Sequence, residues 1–92
     1  MSARRIEVEI PPVVVELDGA LVYLPETKKY KRFDGATRYR VTCIVEYGGY
    51  RSRPFSLDVA NKEELRQKLR VEIAKMQLAI ISGYTLPFEK VG

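Results

Sequence analysis

From Arg38 to Tyr47 the chain alternates between two kinds of side chain. One set is Tyr39, Val41, Cys43, Val45 and Tyr47, and the other is Arg38, Arg40, Thr42, Ile44 and Glu46. A period of two is that of a β-strand with one face buried. Gly48-Gly49 follows directly, and two residues free to take positive φ form a tight hairpin turn. The turn makes residues 50–57 an antiparallel return strand and sets a register: Tyr47 opposite Tyr50, Glu46 opposite Arg51, Ile44 opposite Arg53. Residues paired across strands share one side of a sheet. Arg38, Arg40, Arg51 and Arg53 are therefore expected on one face, opposite the apolar set. Pro54 ends regular pairing, and a bulge there would bring Phe55 and Leu57 back to the core.

A helix is predicted over about 62–82. Asn61 suits the N-cap, and Glu64 stands three residues on, as in a capping box. Leu65, Leu69, Ile73, Met76 and Ile80 recur at helical spacing and form one apolar stripe. Gly83 is a natural stop. The second half, from Ile73 to Ile81, is apolar on more than one face, so it should be the more buried part or should meet a partner. The tail, 84–92, contains Leu86 and Phe88 around Pro87 and is expected to pack in an extended form.

Ahead of the hairpin, Ile6, Val8 and Ile10 alternate with Glu7 and Glu9 as in a half-buried strand. Pro11-Pro12 interrupts it, since neither residue can donate to a ladder. Val13 to Leu17 resumes the extended run, Asp18-Gly19 signals a turn, and Ala20 to Leu24 returns until Pro25 ends it. Residues 26–37 form either a loop or a basic strand extension turning at Asp34-Gly35. These elements predict an α+β domain spanning 1–92, strand-rich over 5–57. Its antiparallel sheet has four to five strands, with one long helix packed on one face.

Charge is unevenly placed. Residues 28–53 hold eight bases and only two acids, whereas residues 1–27 hold two bases and five acids. A basic block of this kind attracts polyanions. Within it, Lys28, Lys29, Lys31 and Arg32 interleave with Tyr30 and Phe33, a pattern suited to stacking on nucleic acid bases. Arginine's planar fork binds phosphate through two donors, and a sheet or ribbon fits the DNA major groove. The candidate nucleic-acid-binding residues are Arg38, Arg40, Arg51, Arg53, Lys28, Lys29, Tyr30, Lys31 and Arg32. The competing interpretation is a solvated sheet face, with Glu46 pairing Arg51.

Catalysis finds little support. Histidine is absent, which removes the commonest general base and metal ligand. One cysteine builds neither a zinc site nor a disulfide, and no phosphate-binding glycine loop occurs. No catalytic residue, metal or other cofactor is implied. Cys43, in the middle of the apolar face, reads as a small buried hydrophobe. No apolar run reaches membrane-spanning length, and the first residues do not read as a signal peptide, so a cytoplasmic protein without membrane contact is expected. One asparagine and two glutamines against 30% charged residues is a thermophile-like bias.

The stretch Arg38 to Met76 resembles the three-stranded-sheet-plus-helix DNA-binding modules found as amino-terminal arm-binding domains of tyrosine recombinases. Arg38-Tyr39-Arg40-Val41, Gly48-Gly49 before a basic strand, Phe55 and the helix opening at Lys62-Glu63-Glu64-Leu65 carry that resemblance. It implies groove reading by the sheet, covers under half the chain and leaves the acidic first strands without counterpart, so no family membership is drawn from it. The expected function is that of a small nonenzymatic nucleic-acid-binding protein, with DNA and RNA undecided. The alternative is a structural or assembly protein acting by homo-oligomerisation or by docking on another protein. A homodimer is expected because a chain this short buries little of its surface alone.

Overall fold

The computed structural model describes the backbone of residues 8–91 and the side chains from Ile10 onward. The alternation involving Ile6 and Glu7 lies outside the described residues. Seven strand segments and one helix follow in chain order: β1 (Val8–Ile10), β2 (Val13–Leu17), β3 (Ala20–Lys31), β4 (Thr37–Tyr47), β5 (Tyr50–Arg51), β6 (Phe55–Val59), α1 (Lys62–Ile81) and β7 (Glu89–Lys90). All pairings are antiparallel. β1 and β2 share one edge of β3, β3 pairs with β4, β5 and β6 share the far side of β4, and β7 adds to β5. The result is the expected α+β arrangement, a sheet of five rows with one helix packed on it.

The helix lies over the apolar set of β4. Val22, Val41, Cys43, Val45 and Val59 from the sheet meet Leu69, Ile73 and Met76 from the helix in one buried cluster, with Leu65 and Ile80 at its margin. Both helix ends are closed as the sequence predicts. The Asn61 side chain accepts from the Glu64 amide at 2.9 Å, and the Glu64 carboxylate accepts from the Ala60 amide at 2.8 Å. At the other end Gly83 takes φ 80°, and the Tyr84 and Gly83 amides reach back to the carbonyls of Ala79 and Ile80, which satisfies carbonyls the helix leaves open.

Two sequence expectations are corrected. Pro25 does not end a strand: β3 continues through it to Lys31 by slipping one residue against β4 between Tyr23 and Glu26. Pro25 lacks an amide, and a bulge is where a sheet tolerates that loss. On the other side of β3, Pro11 and Pro12 fall in the gap between β1 and β2, level with Pro25 and Glu26. Three of the five prolines are thus gathered at one level of the sheet. Residues 26–31 form the basic strand extension, one of the two forms expected for that segment. The second correction concerns the return strand after Gly48-Gly49. Tyr47 pairs with Tyr50 and Glu46 with Arg51 as predicted, but β5 ends there. The Ser52 hydroxyl then accepts from the Val45 amide at 2.9 Å, and pairing resumes one residue out of phase at Cys43 and Phe55. The slip puts Phe55 and Leu57 on the core side, as expected of a bulge near Pro54, but it leaves Arg53 outside the ladder, so Arg53 does not pair with Ile44.

Candidate nucleic acid interface

The bulge decides which way the basic segment points. Before it, Ala20, Val22 and Leu24 face the helix; after it, the parity reverses. Lys28 and Tyr30 then lie opposite Arg40 and Arg38 on the face away from the core, while Lys29 and Lys31 lie opposite Tyr39 and Thr37 on the other. A five-residue turn joins the strands, closed by the Arg32 amide to the Ala36 carbonyl at 2.8 Å and by the Asp34 carboxylate accepting from the Ala36 amide at 3.0 Å. Positive charge therefore wraps the end of the β3–β4 hairpin on both sides. At the tip Phe33 is wholly exposed, at 101% of its reference area.

Tyr30 is anchored. Its hydroxyl donates to the Asp58 carboxylate on β6, and the ring is buried. Arg38 is drawn to the same acid, with its Nε donating to Asp58 Oδ1 at 2.9 Å and a longer approach of 3.9 Å to Glu64. The Tyr30 hydrogen bond, followed by that of Arg38, holds the Asp58 carboxyl below the ordinary carboxylate range. The same bond to Asp58 raises Arg38 above its usual value. Arg40 forms no ion pair within 4 Å among the described residues, although it stands across from Asp58 and helps to hold that carboxyl down; its guanidinium carbon sits 5.3 Å from the Tyr30 ring centroid, within cation–π range. Tyr30, Arg32, Phe33, Arg38, Arg40 and Asp58 line an open concavity of about 380 Å³.

The expected four-arginine face is divided. Arg38, Arg40 and Arg51 do share a side of the sheet, but Arg51 lies near the other end of β4, opposite Glu46. Six residues of strand separate Glu46 from Arg40, a distance of roughly 20 Å. Arg51 bridges to Glu46 at 3.2 Å, and Arg53 is exposed outside the ladder. The cations also differ in their partners. Arg32, Arg38, Arg51, Arg66, Lys68, Arg70 and Lys75 all approach a carboxylate within 4 Å. Lys28, Lys29, Lys31 and Arg40 enter no ion pair among the described residues, and all four stand on the hairpin. Arg53, Lys62 and Lys90, also without such a partner, are scattered.

Sequence reasoning missed Asp58 as a member of this group. It acts from 28 residues beyond Tyr30 in the chain, and no local pattern marks it. Among the described residues no group of three or more His, Cys, Asp or Glu side chains is placed to hold a metal ion, and no helix is long and apolar enough to cross a membrane. The fold and this hairpin together define an α+β chain with a basic, aromatic hairpin end. Comparison with family models, with curated proteins and with solved structures finds no match.

Proposed function

We propose that the protein is a nonenzymatic nucleic-acid-binding protein of the cytoplasm that contacts its ligand through the end of the β3–β4 hairpin. The observation that carries the reading is the gathering at one hairpin end of four cations that enter no ion pair among the described residues, beside an exposed aromatic ring. Lys28 and Arg40 stand on the outer face with Tyr30, whose ring lies under the Arg40 guanidinium, Lys29 and Lys31 stand on the other face, and Phe33 is fully exposed at the tip. Phosphates are met by ammonium and guanidinium groups, and bases by the exposed ring of Phe33. On this reading the contact surface is the hairpin end and not the whole sheet. Arg38 acts there as a positioning residue, since Asp58 already engages it. Arg51 and Arg53 lie apart from the surface.

A second reading, an assembly protein acting through a homodimer, is favoured by a different observation: Val71, Leu78 and Ile81 are exposed on the helix. The two readings occupy separate parts of the molecule and are compatible. Fluorescence anisotropy with duplex DNA, single-stranded DNA and RNA of equal length, over a range of salt, tests the first. Binding to at least one class that weakens linearly in log salt is expected. Absence of binding to all three at low salt sinks it and leaves the assembly reading in front.

A further inference from the structure

The β3–β4 hairpin runs on past its neighbours. β6 ends at Val59, opposite Tyr39, and among the described residues β1 begins at Val8, opposite Lys29. The helix starts close to the same level, at Lys62. Beyond it the pairs Tyr30–Arg38 and Lys31–Thr37, and the turn that joins them, have no described strand beside them. Residues 31–37 are all exposed. At about 3.4 Å per residue, two pairs and a turn make a two-stranded ribbon that reaches roughly 10 Å past its described neighbours.

This ribbon carries cations on both faces. Arg40 and Lys28 stand on the outer face, and Lys29 and Lys31 on the other. The acids at this end are engaged: Asp34 approaches Arg32 at 3.7 Å, and Asp58 holds Tyr30 and Arg38. Glu9 stands opposite Lys28 in the register, so Arg40 is the clearest cation of the outer face. A single line of phosphates crossing one face meets the cations of that face only. Cations on both faces, with an exposed ring at the tip, fit a ligand that offers two lines of phosphates and a floor between them.

Given that the hairpin end is the nucleic acid contact proposed above, we infer that its ligand is duplex DNA and that the ribbon enters the major groove tip first. Arg40 then faces one sugar-phosphate wall, Lys29 and Lys31 face the other, and Phe33 meets the floor. The dimensions select this ligand. The major groove of B-form DNA, about 12 Å wide and about 8.5 Å deep, admits a two-stranded ribbon and matches the reach of this one. The minor groove, about 6 Å wide, does not take a ribbon with side chains on both faces. The major groove of A-form RNA is deep and too narrow, and a single strand has no second wall. On the floor, the C5-methyl group of thymine is the apolar partner for a phenylalanine ring.

Fluorescence anisotropy of the full chain with duplex DNA, duplex RNA and single-stranded DNA of one length tests this. Duplex DNA should bind most tightly. A duplex of the same sequence whose pyrimidines carry a bulky substituent at C5, filling the major groove, should lose most of that affinity. On the unmodified duplex, Lys29→Ala with Lys31→Ala should make the salt slope shallower by up to about two contacts, and Arg40→Ala by about one, at about 0.9 per contact. Circular dichroism spectra should be unchanged in both variants. Equal or tighter binding of single strands or duplex RNA would overturn the inference while the hairpin remains the contact. So would full binding of the blocked duplex, or a slope that responds to the cations of one face alone. Absence of binding to all three nucleic acids would remove the hairpin contact itself, and this inference with it.

Discussion

Arg40 holds its guanidinium 5.3 Å from the centre of the Tyr30 ring, while Arg38, two residues earlier, is bound at 2.9 Å to the Asp58 carboxylate that also accepts from Tyr30. One arginine thus shares the acid that anchors the ring, and the other rests on the ring. The Tyr30 hydroxyl is the largest influence lowering Asp58, so Tyr30→Phe should move the Asp58 carboxyl back toward its ordinary value. Loss of a hydrogen bond to a charged group should also cost about 1.5–3 kcal/mol at most, with solvent access to Asp58 favouring the lower end. An NMR titration of the Asp58 carboxyl carbon together with urea unfolding checks both. An unmoved titration would show that the hydroxyl does not set this carboxyl.

Acid should destabilise the fold through the same cluster. Asp58 is held low by Tyr30 and Arg38, and Glu64 by the Ala60 amide and Lys68. A carboxyl whose folded value is depressed takes up protons more readily when unfolded. Its stabilisation is complete above the ordinary carboxylate value near about 4 and is lost as pH falls through the lower folded value. Unfolding free energy measured across that window should fall with decreasing pH. The fall should be shallower in the double variant Asp58→Asn, Glu64→Gln. Equal slopes for the two proteins would remove this cluster from the account.

Phe33 separates binding from folding. Its ring is fully exposed, so Phe33→Ala should change unfolding free energy by no more than about 0.5 kcal/mol. If the ring stacks on a base, the same change should weaken binding to single-stranded nucleic acid by about 1–3 kcal/mol. Parallel chemical denaturation and anisotropy on one sample make the comparison. Unchanged affinity would leave the tip outside the contact.

Cys43 tests the core. It is fully buried, and burial, reinforced by Glu72, pushes its thiol up to about 12. Near pH 8 the folded chain should therefore react with a thiol reagent only as fast as it opens, and urea should release a full equivalent. Rapid stoichiometric labelling of the native protein would contradict the placement of β4 against the helix.

What could be read from the sequence was what short stretches decide alone. Asn61, Glu64 and Gly83 specify the helix ends within a turn of chain. Gly48-Gly49, both at positive φ, specifies the first two pairs of its hairpin. The face assigned to Cys43 and Val45 follows from alternation and holds. What stayed hidden depends on residues far apart. The bulge at Pro25 shows only as a one-residue slip between β3 and β4, and it alone sends Tyr30 to the outer face. A slip near Pro54 is expected from the sequence, but not where it begins: β5 already ends at Arg51, the Ser52 amide and hydroxyl both bond to Val45, and Arg53 is left out of its predicted pairing. Asp58, the acid that takes Arg38, is paired to this end by sheet topology. The interleaving of Lys28 to Arg32 with Tyr30 and Phe33 was legible; the division of the four arginines between the two ends of β4 was not.

The central claim is that the hairpin end supplies the cations that meet phosphate. The salt dependence of binding measures this most directly, because each phosphate contact adds about −0.9 to the slope of log affinity against log salt on duplex, or about −0.7 on single strands. The triple variant Lys29→Ala, Lys31→Ala, Arg40→Ala should bind more weakly and with a slope shallower by up to about three contacts. Arg51→Ala, at the far end of β4 and paired with Glu46, should bind like wild type. A folded triple variant with unchanged affinity and slope, or an Arg51→Ala protein weakened as much as the triple, would contradict the account.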